Sequence, residues 1–261
     1  MNGTAQIEKE SFKVFKNLLD KEEVEFYKNK IDAIFENREN KNTFPNGLVE
    51  SEELWGLLEN KIIIDKAKSL LGGDVKFLQH NDIHKNFSAS GWHRDSVDRV
   101  FSKGKEWENN VDYGILRVGV YLQGKESKFR LGLIKNSNKD YTNFFDNNNF
   151  ISRCFEFIDG VCPPVFYRLF LKIINKNIEL LDLCDGDIIM FDPRLLHKGC
   201  KTKLSKYSVF FSFAIENNHF ISFSEYYLKT RKDLKYSKIS NKLKSKLENN
   251  NILADYYNNY L

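Results

Sequence analysis

Apolar residues recur at every second position in several short segments of the chain, and this spacing predicts β-strands. The segments are rich in β-branched and aromatic residues, which favour strands. The predicted strands cover residues 75–83, 113–123, 129–134, 178–183, 187–191 and 206–215. Gly, Asn and Asp are frequent between them. Many short strands joined by such turns are typical of a sandwich or an open barrel.

The region before the first long strand has helical spacing instead. Asp20 is a suitable N-cap, and apolar residues recur after it about every 3.6 residues, which predicts an amphipathic helix over 20–37. Its apolar face consists of Val24, Tyr27, Ile31 and Ile34. A second helix is predicted over 51–71, ending at Gly72.

Two further segments lack strand alternation and are predicted to be helical. Residues 138–176 interrupt the strands and are interpreted as a helical insertion near the mouth of the barrel. Apolar residues at helical spacing there are expected to face the protein, namely Phe166, Leu169, Phe170 and Ile173. Residues 224–261 are polar and Lys-rich and form a predicted C-terminal helical segment. Without a linker or repeat, residues 1–261 are predicted to be a single domain.

Composition narrows the function classes. The net charge of +4 is too small to indicate nucleic acid as the main partner. No apolar run approaches the roughly 18–20 residues of a membrane span. The first residues lack an apolar signal region, and the four cysteines lack CxxC spacing. We therefore predict free thiols and a cytoplasmic location, and we leave the oligomeric state open.

The strongest chemical signal is the segment SGWHRDS, which places His93 two residues before Asp95. In an extended chain, side chains at i and i+2 point to one side, so both can bind one ion. His197 follows GDIIMFDPRLL, a predicted buried strand and turn, and is the candidate third ligand. Two His and one carboxylate on one face of a metal form the facial triad of non-haem iron(II) oxygenases. A surface polar pair is the alternative interpretation of HxD alone.

In context, the chain resembles the phytanoyl-CoA dioxygenase family of Fe(II)/2-oxoglutarate-dependent oxygenases, in order from about residue 11 to about 215. The resemblance rests on GWHRD, LRVGVYLQ, FRLGLIKNSNK, GDIIMFDPRLLHKG and KYSVFFSF. It implies a double-stranded β-helix, a jelly-roll, cupin-like barrel that is mainly β with flanking helices. It also implies Fe(II), 2-oxoglutarate and O2, with His93, Asp95 and His197 as metal ligands.

The family anchors 2-oxoglutarate with a basic residue, usually Arg, on the strand after the distal His. This chain has no Arg there, and Lys206 lies nine residues after His197. Lys206 and Ser208 resemble the Arg-x-Ser pair of related oxygenases, with Lys in place of Arg; a solvated Lys is the alternative. Arg117 is the rival cation, expected to face the pocket with Tyr121. It would bind a carboxylate of co-substrate or substrate, or form a structural ion pair, with Asp95 as a candidate partner.

Further candidates for the site are less specific. Gln79 and Asn81 share one face of a predicted strand and could hydrogen-bond the co-substrate, although a polar edge strand explains them as well. Tyr121 and Trp92 are candidate substrate contacts, with Trp92 also suited to packing beside the metal. His80, His84 and His219 lack ligand spacing.

The resemblance implies a single oxygenase domain that hydroxylates a small-molecule or carrier-bound substrate and releases succinate and CO2. Two alternatives remain: a metal-dependent oxidoreductase that does not use 2-oxoglutarate, and a non-catalytic binding barrel. The chain does not indicate which substrate is used.

Overall fold

The computed structural model describes residues 11–40, 42–86, 91–95, 113–127, 129–139, 158, 164–200, 202, 204–226, 228 and 238–260. The strands assigned within these residues are β1 (Phe12–Phe15), β2 (Thr43–Pro45), β3 (Lys76–Lys85), β4 (Ile115–Tyr121), β5 (Arg130–Ile134), β6 (Ile178–Asp182), β7 (Ile188–Phe191), β8 (His197–Gly199) and β9 (Tyr207–Ala214). The α-helices assigned there are α1 (Lys21–Glu36), α2 (Gly47–Glu50), α3 (Gly56–Glu59), α4 (Lys61–Leu71), α5 (Pro164–Ile174), α6 (Asn218–Glu225), α7 (Asn241–Asn249) and α8 (Asp255–Tyr260).

Six strands form a major sheet in the order β1-β7-β4-β9-β3-β2, and its pairs are antiparallel. The central strands β4 and β9 are buried along their whole length. Side chains alternate between the two faces of each strand, so that one face packs against the helices and the other lines a cavity. Val118 and Phe211 join the large apolar core that includes the helices, whereas Arg117, Tyr121 and Phe210 line a cavity on the other side.

A minor sheet of three strands, in the order β6-β5-β8, faces the major sheet. A second apolar cluster lies between the two sheets and includes Leu131 and Leu133 of β5 with Ile189 and Phe191 of β7. This is the two-sheet arrangement expected of the predicted barrel. The cavity opens between these sheets, so the packing of the sandwich positions the site.

The helix predicted over 20–37 is confirmed as α1. Asp20 and Glu23 form a reciprocal capping box that satisfies two backbone N–H groups at the helix start. Val24, Tyr27 and Ile31 are buried in the helix-side core, and Phe35 completes that face while Ile34 is only partly buried.

The single helix predicted over 51–71 is corrected to several segments. A 3-10 turn (Glu52–Leu54), α3 and α4 follow one another. The break has a local cause, because the Asn60 side chain accepts hydrogen bonds from the backbone N–H groups of Ile62 and Ile63 and thereby starts a new helix. The predicted end is confirmed, since Gly72 adopts a left-handed conformation with φ of 76°.

The predicted orientation of the helix within 138–176 is wrong. Tyr167 and Leu171 of α5 are buried on the outer side of the minor sheet. The apolar residues expected to face the protein are exposed instead, namely Phe166, Leu169, Phe170 and Ile173. The helix is apolar on most of its circumference, so hydrophobic spacing alone does not select its buried side. Beside that side, Arg168 pairs with Asp182 and Lys172 pairs with Glu179 of β6.

Much of the insertion and of the C-terminal segment lies outside the described residues. Of 138–176, the structure describes 138–139, 158 and 164–176, and the position of the whole insertion at the barrel mouth stays a prediction. The described part of 224–261 includes α7 and α8, and α8 docks through Tyr257, whose hydroxyl accepts a hydrogen bond from the backbone N–H of Gln79 on β3. No described helix combines the length and apolarity that a membrane crossing requires.

Candidate metal centre

The three predicted metal ligands converge at one end of the cavity. The candidate ligand atoms of His93, Asp95 and His197 all lie within 4.8 Å of one another, the one such group of three or more found among the described residues. Backbone pairing brings the two histidines together. The N–H of His93 donates to the carbonyl of His197, and the reverse bond has the same length, 2.9 Å. The His93 segment thus extends the minor sheet beyond β8.

Backbone contacts also fix the orientation of both imidazole rings. Nδ1 of His93 lies 2.7 Å from the carbonyl oxygen of Gly91, and Nδ1 of His197 lies 2.9 Å from that of Leu195. Because a carbonyl oxygen only accepts, each Nδ1 donates a proton to it, which leaves Nε2 as the ring atom that can bind a metal. Both Nε2 atoms face the Asp95 carboxylate. The chain therefore presents both imidazoles in the orientation that a metal site requires.

Asp95 is held from its backbone and from its side chain. Its N–H donates to the carbonyl of Pro193 over 2.8 Å. Its Oδ1 lies 3.7 Å from Nε2 of His93, and its Oδ2 lies 3.8 Å from Nε2 of His197. Burial would raise the pKa of Asp95, but His197, Arg117 and His93 outweigh burial and hold that pKa well below its usual value. Asp95 is therefore a carboxylate, able to bind a cation.

The loop between β7 and β8 is braced by polar contacts. Asp192 accepts hydrogen bonds from the backbone N–H and the guanidinium of Arg194, and these contacts hold the turn in place. Ser137 accepts from the N–H of Leu196 over 2.8 Å. The fully buried Arg94 side chain donates to the carbonyls of Ser137 and Arg194 and so joins the two ligand-bearing segments.

Arg117 lies beside the metal ligands, with its side chain 3% exposed. Its Nη2 pairs with Asp82 of β3, and its Nε lies 3.4 Å from Oδ2 of Asp95. Nη1 donates to the carbonyl of His80. Of the alternatives left open by the sequence, this geometry matches the structural ion pair with Asp95.

Lys206 lies immediately before β9, six residues before Ser212, the β9 partner of Arg117, and we call this part of the cavity its far end. Its side chain lines the cavity, and the residue is only 4% exposed. The ammonium lies over the ring of Phe129, 4.2 Å from its centre. Burial lowers the pKa of Lys206 to about 7, although Asp82 partly opposes this shift. The alternative interpretation of Lys206 as a solvated lysine does not match this burial.

Two buried hydroxyls lie near Lys206 and lack a hydrogen-bond partner among the described residues. Tyr121 and Ser208 face each other across the β4–β9 pair, and both are fully buried. The Tyr121 ring stacks on Phe129, at a centroid distance of 5.5 Å. Burial and the neighbouring carboxylates raise the pKa of Tyr121, so its hydroxyl remains a donor. Both hydroxyls can therefore donate a hydrogen bond to a group bound in the cavity.

The structure does not bring every predicted site residue to the cavity. The side chains of Gln79 and Asn81 point to the opposite face of β3, where both amides donate to Oδ1 of Asn46. β3 pairs with β2 and β9, so it is not an edge strand. Trp92 belongs to the apolar cluster on the outer side of the minor sheet. The roles proposed for these three residues stay predictions.

Other residues line the cavity without having been assigned a role from sequence. They are His80, Asp82 and His84 of β3 together with Phe129, Leu131, Gly199 and Phe210. His80, Asp82 and His84 alternate along β3, and this H-x-D-x-H pattern was the available signal. Asp82 and His84 form a pair, with 2.5 Å between Oδ2 and Nε2. The whole cavity has a volume of about 160 Å³.

Known structures share this architecture at low sequence identity. No family model matches the chain, and no curated protein matches it in sequence. A structure of the non-haem alpha-ketoglutarate-dependent epimerase SnoN from nogalamycin biosynthesis matches at a TM-score of 0.56 and 14% identity, covering 81% of this chain and 79% of that one. EctD from S. alaskensis with bound Fe matches at 0.55 and 18%, covering 81% and 75%. HygX from Streptomyces hygroscopicus with nickel and 2-oxoglutarate matches at 0.54 and 11%, covering 80% and 84%.

Identities this low establish the fold and not the activity. The predicted fold class is confirmed, whereas the narrower resemblance to phytanoyl-CoA dioxygenases stays a prediction. The chain has the double-stranded β-helix fold found in these iron- and 2-oxoglutarate-dependent enzymes.

Proposed function

We propose that the chain is an Fe(II)/2-oxoglutarate-dependent oxygenase. The observation that carries this proposal is the pairing of two features in one cavity. His93, Asp95 and His197 converge in the cavity, and the buried Lys206 lines the same cavity just before β9. A metal can chelate one end of a dicarboxylate while a separate cation binds its other end.

The donor set suits a first-row divalent metal. Two imidazole nitrogens and one carboxylate on one side of an ion leave further coordination positions for exogenous ligands. The Nδ1–carbonyl contacts of both histidines hold the rings in place before a metal arrives. These residues therefore fit Fe(II).

The charges in the cavity suit a dianion once the metal is bound. Among the described lining residues, the carboxylates Asp82 and Asp95 balance the cations Arg117 and Lys206 if the histidines are neutral. A divalent ion adds two positive charges to this balanced set. A dicarboxylate restores neutrality, and a buried charge that is left unpaired would be costly.

The far end of the cavity can satisfy a carboxylate with three donors. Lys206 supplies a cation, and Tyr121 and Ser208 supply hydroxyls that have no described hydrogen-bond partner. Arg117 is already engaged by Asp82 and Asp95. We therefore assign the distal carboxylate of 2-oxoglutarate to Lys206 and Ser208, and we move Tyr121 from the substrate to the co-substrate.

When bound, iron, 2-oxoglutarate and O2 would together supply oxidative decarboxylation of the co-substrate to succinate and CO2, with O2 as the oxidant for both the co-substrate and the substrate. The residues of the chain bind and orient these groups. His93, Asp95 and His197 hold the metal, Lys206 fixes the direction of the co-substrate, and the apolar walls at Phe129, Leu131 and Phe210 limit the access of water.

Hydroxylation of a small-molecule or carrier-bound substrate is the outcome we propose, in a cytoplasmic enzyme. The fold alone does not determine this outcome, since SnoN is an epimerase. A cavity of about 160 Å³ has room for a small co-substrate, so the substrate binds at its open side.

An anaerobic titration tests the proposal. Purified full-length protein is first titrated with Fe(II), and the loaded protein is then titrated with 2-oxoglutarate while its visible charge-transfer absorption is followed. We expect one iron per chain and saturable binding of 2-oxoglutarate. Succinate is then measured after the addition of O2, with and without candidate substrates.

The same measurements separate the two alternatives. Iron binding without 2-oxoglutarate binding would support a metal-dependent oxidoreductase of another type. Failure to bind any divalent first-row metal would support a non-catalytic barrel.

A further inference from the structure

Asp82 is a second carboxylate in the cavity that does not belong to the group of candidate ligands. It lies on β3 and lines the cavity, with its side chain 20% exposed. It pairs with Arg117 through Oδ1 and with His84 through Oδ2. Burial raises the pKa of Asp82, but Arg117 and then His84 outweigh burial and keep that pKa below its usual value. Asp82 is therefore an anion next to the metal centre.

Arg117 connects this carboxylate to Asp95. One side of its guanidinium contacts Asp82, and Nε lies 3.4 Å from Oδ2 of Asp95. The guanidinium is further held by the carbonyl of His80 and lies 5.5 Å from the centre of the Phe210 ring. A planar group with several fixed contacts has little freedom to rotate. Arg117 therefore constrains the orientation of the Asp95 carboxylate.

An arginine at this position creates an electrostatic conflict. Its contact with Asp95 orients the carboxylate, which favours metal binding. Its positive charge would repel a divalent cation bound to that same carboxylate, and this repulsion is strong where water is scarce. A neutral donor would avoid the repulsion, but a guanidinium that carries its own counter-charge avoids it too.

We propose that Asp82 is a positioning residue that neutralises Arg117, so that Arg117 orients Asp95 without weakening metal binding. This inference rests on the proposed function, because it presumes a metal at His93, Asp95 and His197. It also explains why Arg117 is not the anchor for the co-substrate: its charge is already balanced on both sides.

The test uses Asp82→Asn, which keeps the shape of the side chain and removes its charge. Full-length apo protein is titrated with Co2+, and the loaded protein is then titrated with azide, a monoanion that coordinates metals directly. In this variant the positive charge of Arg117 loses one of its two counter-charges, that of Asp82, and keeps only that of Asp95. We expect Co2+ affinity to fall roughly 10- to 100-fold, as for other partners of metal ligands, and azide affinity to rise. General structural damage would instead lower the affinities for Co2+ and for azide together.

Two further variants make the test specific. Glu179→Gln removes a carboxylate paired with Lys135 and Lys172 on the minor sheet, and we expect it to leave both affinities unchanged. The double variant Asp82→Asn/Arg117→Met removes both charges of the pair. We expect its Co2+ affinity to lie between those of Asp82→Asn and the unaltered protein. Its azide affinity should fall back to that of the unaltered protein.

The proposal is overturned if Asp82→Asn binds Co2+ as tightly as the unaltered protein does, or if its affinities for Co2+ and for azide both fall. It is also overturned if the double variant binds Co2+ no more tightly than Asp82→Asn. Should Asp82→Asn fail to fold, Asp82→Ser removes the same charge with a smaller side chain and is judged by the same signs. If the unaltered protein binds no Co2+, the proposed function itself has failed, which is a different result.

Discussion

The two ends of the cavity are organised by different kinds of contact. At the metal end, backbone groups set the geometry: His93 and His197 are paired through their main chains, and Asp95 is tied to Pro193. At the far end, Lys206 rests against an aromatic ring, and the hydroxyls of Tyr121 and Ser208 lack a described hydrogen-bond partner. If the cavity binds metal and 2-oxoglutarate as proposed, the metal end is formed in advance, whereas the far end is completed by the co-substrate.

Removal of a metal ligand is expected to have the largest effect. His197→Ala should reduce the affinity for Fe(II) or Co2+ by more than the roughly 10- to 100-fold typical of residues outside the coordination sphere. The backbone bridge to His93 does not depend on the imidazole, so the apo protein should stay folded. Metal titration by calorimetry and thermal unfolding of the apo protein check the two statements. Lys206→Met serves as the control and should bind metal normally.

A variant of the far end should separate the two regions. Lys206→Met should cost roughly 2–5 kcal/mol of 2-oxoglutarate affinity, because the distal carboxylate would then be buried without a cation. Metal affinity should be unaffected. The measurement is an anaerobic 2-oxoglutarate titration of the iron-loaded protein.

Lys198→Met is the matched control for this variant. Lys198 is equally buried, but its ammonium lies on the outer side of the minor sheet, 3.2 Å from the hydroxyl of Tyr167. We expect normal 2-oxoglutarate affinity from it. If Lys206→Met binds 2-oxoglutarate normally and Arg117→Met does not, Arg117 is the anchor and the assignment of the far end is wrong.

The pKa of Lys206 predicts a pH dependence that is restricted to the far end. Burial lowers this pKa from 10.5 to about 7, so the free site loses its cation as pH rises through about 7. Binding of a carboxylate then requires proton uptake, and 2-oxoglutarate affinity should fall by up to tenfold per pH unit above that value. Affinity below it should be flat. Lys206→Arg keeps its charge and should remove the dependence between pH 7 and 9, which titration at several pH values would detect.

The same shift affects stability with a defined sign. Between pH 7 and 10.5 the unfolded chain binds a proton at Lys206 that the folded chain does not, so this residue makes the folded state more stable as pH rises. The penalty for burying the charged lysine is complete below about pH 7.

These two regions also differ in how far sequence predicts them. The two faces of β4 follow from alternation, because one face is purely apolar and must lie under the helices. This reasoning placed Arg117 and Tyr121 on the cavity side, and the resemblance pointed to Lys206; all three line the cavity. The metal ligands were predictable from the HxD motif and the distal motif, whose contexts point to strand ends.

Alternation fails for β3 because both of its faces carry polar residues. Gln79 and Asn81 satisfy the buried amide of Asn46, a partner that lies far away in sequence. His80, Asp82 and His84 face the cavity. Nothing local distinguishes the two sets, and the register shift between Leu78 and Asp82 further disrupts the pattern.

The smallest expected effect concerns the two hydroxyls of the far end. Tyr121→Phe and Ser208→Ala each remove a fully buried hydroxyl that lacks a described hydrogen-bond partner. Removing either hydroxyl breaks no hydrogen bond within the described part of the chain, whereas a hydrogen bond to the co-substrate would be lost. Each variant should therefore leave the apo protein equally stable or more stable, while 2-oxoglutarate affinity falls by about 0.5–1.5 kcal/mol, the usual net value of one hydrogen bond.

The comparison between the two ends of the cavity is tested by the different responses of apo stability, which should not fall, and 2-oxoglutarate affinity, which should fall. Thermal unfolding is measured for each variant without ligand and with metal and 2-oxoglutarate, and the ligand-induced rise in Tm should shrink although the apo Tm does not fall. Tyr207→Phe is a suitable control, because its hydroxyl already donates to Asp32 on the helix side of β9, so the apo protein should lose stability and keep its ligand response. A fall in apo stability for Tyr121→Phe would mean that its hydroxyl already has a partner and that the far end, like the metal end, is complete before the ligand binds.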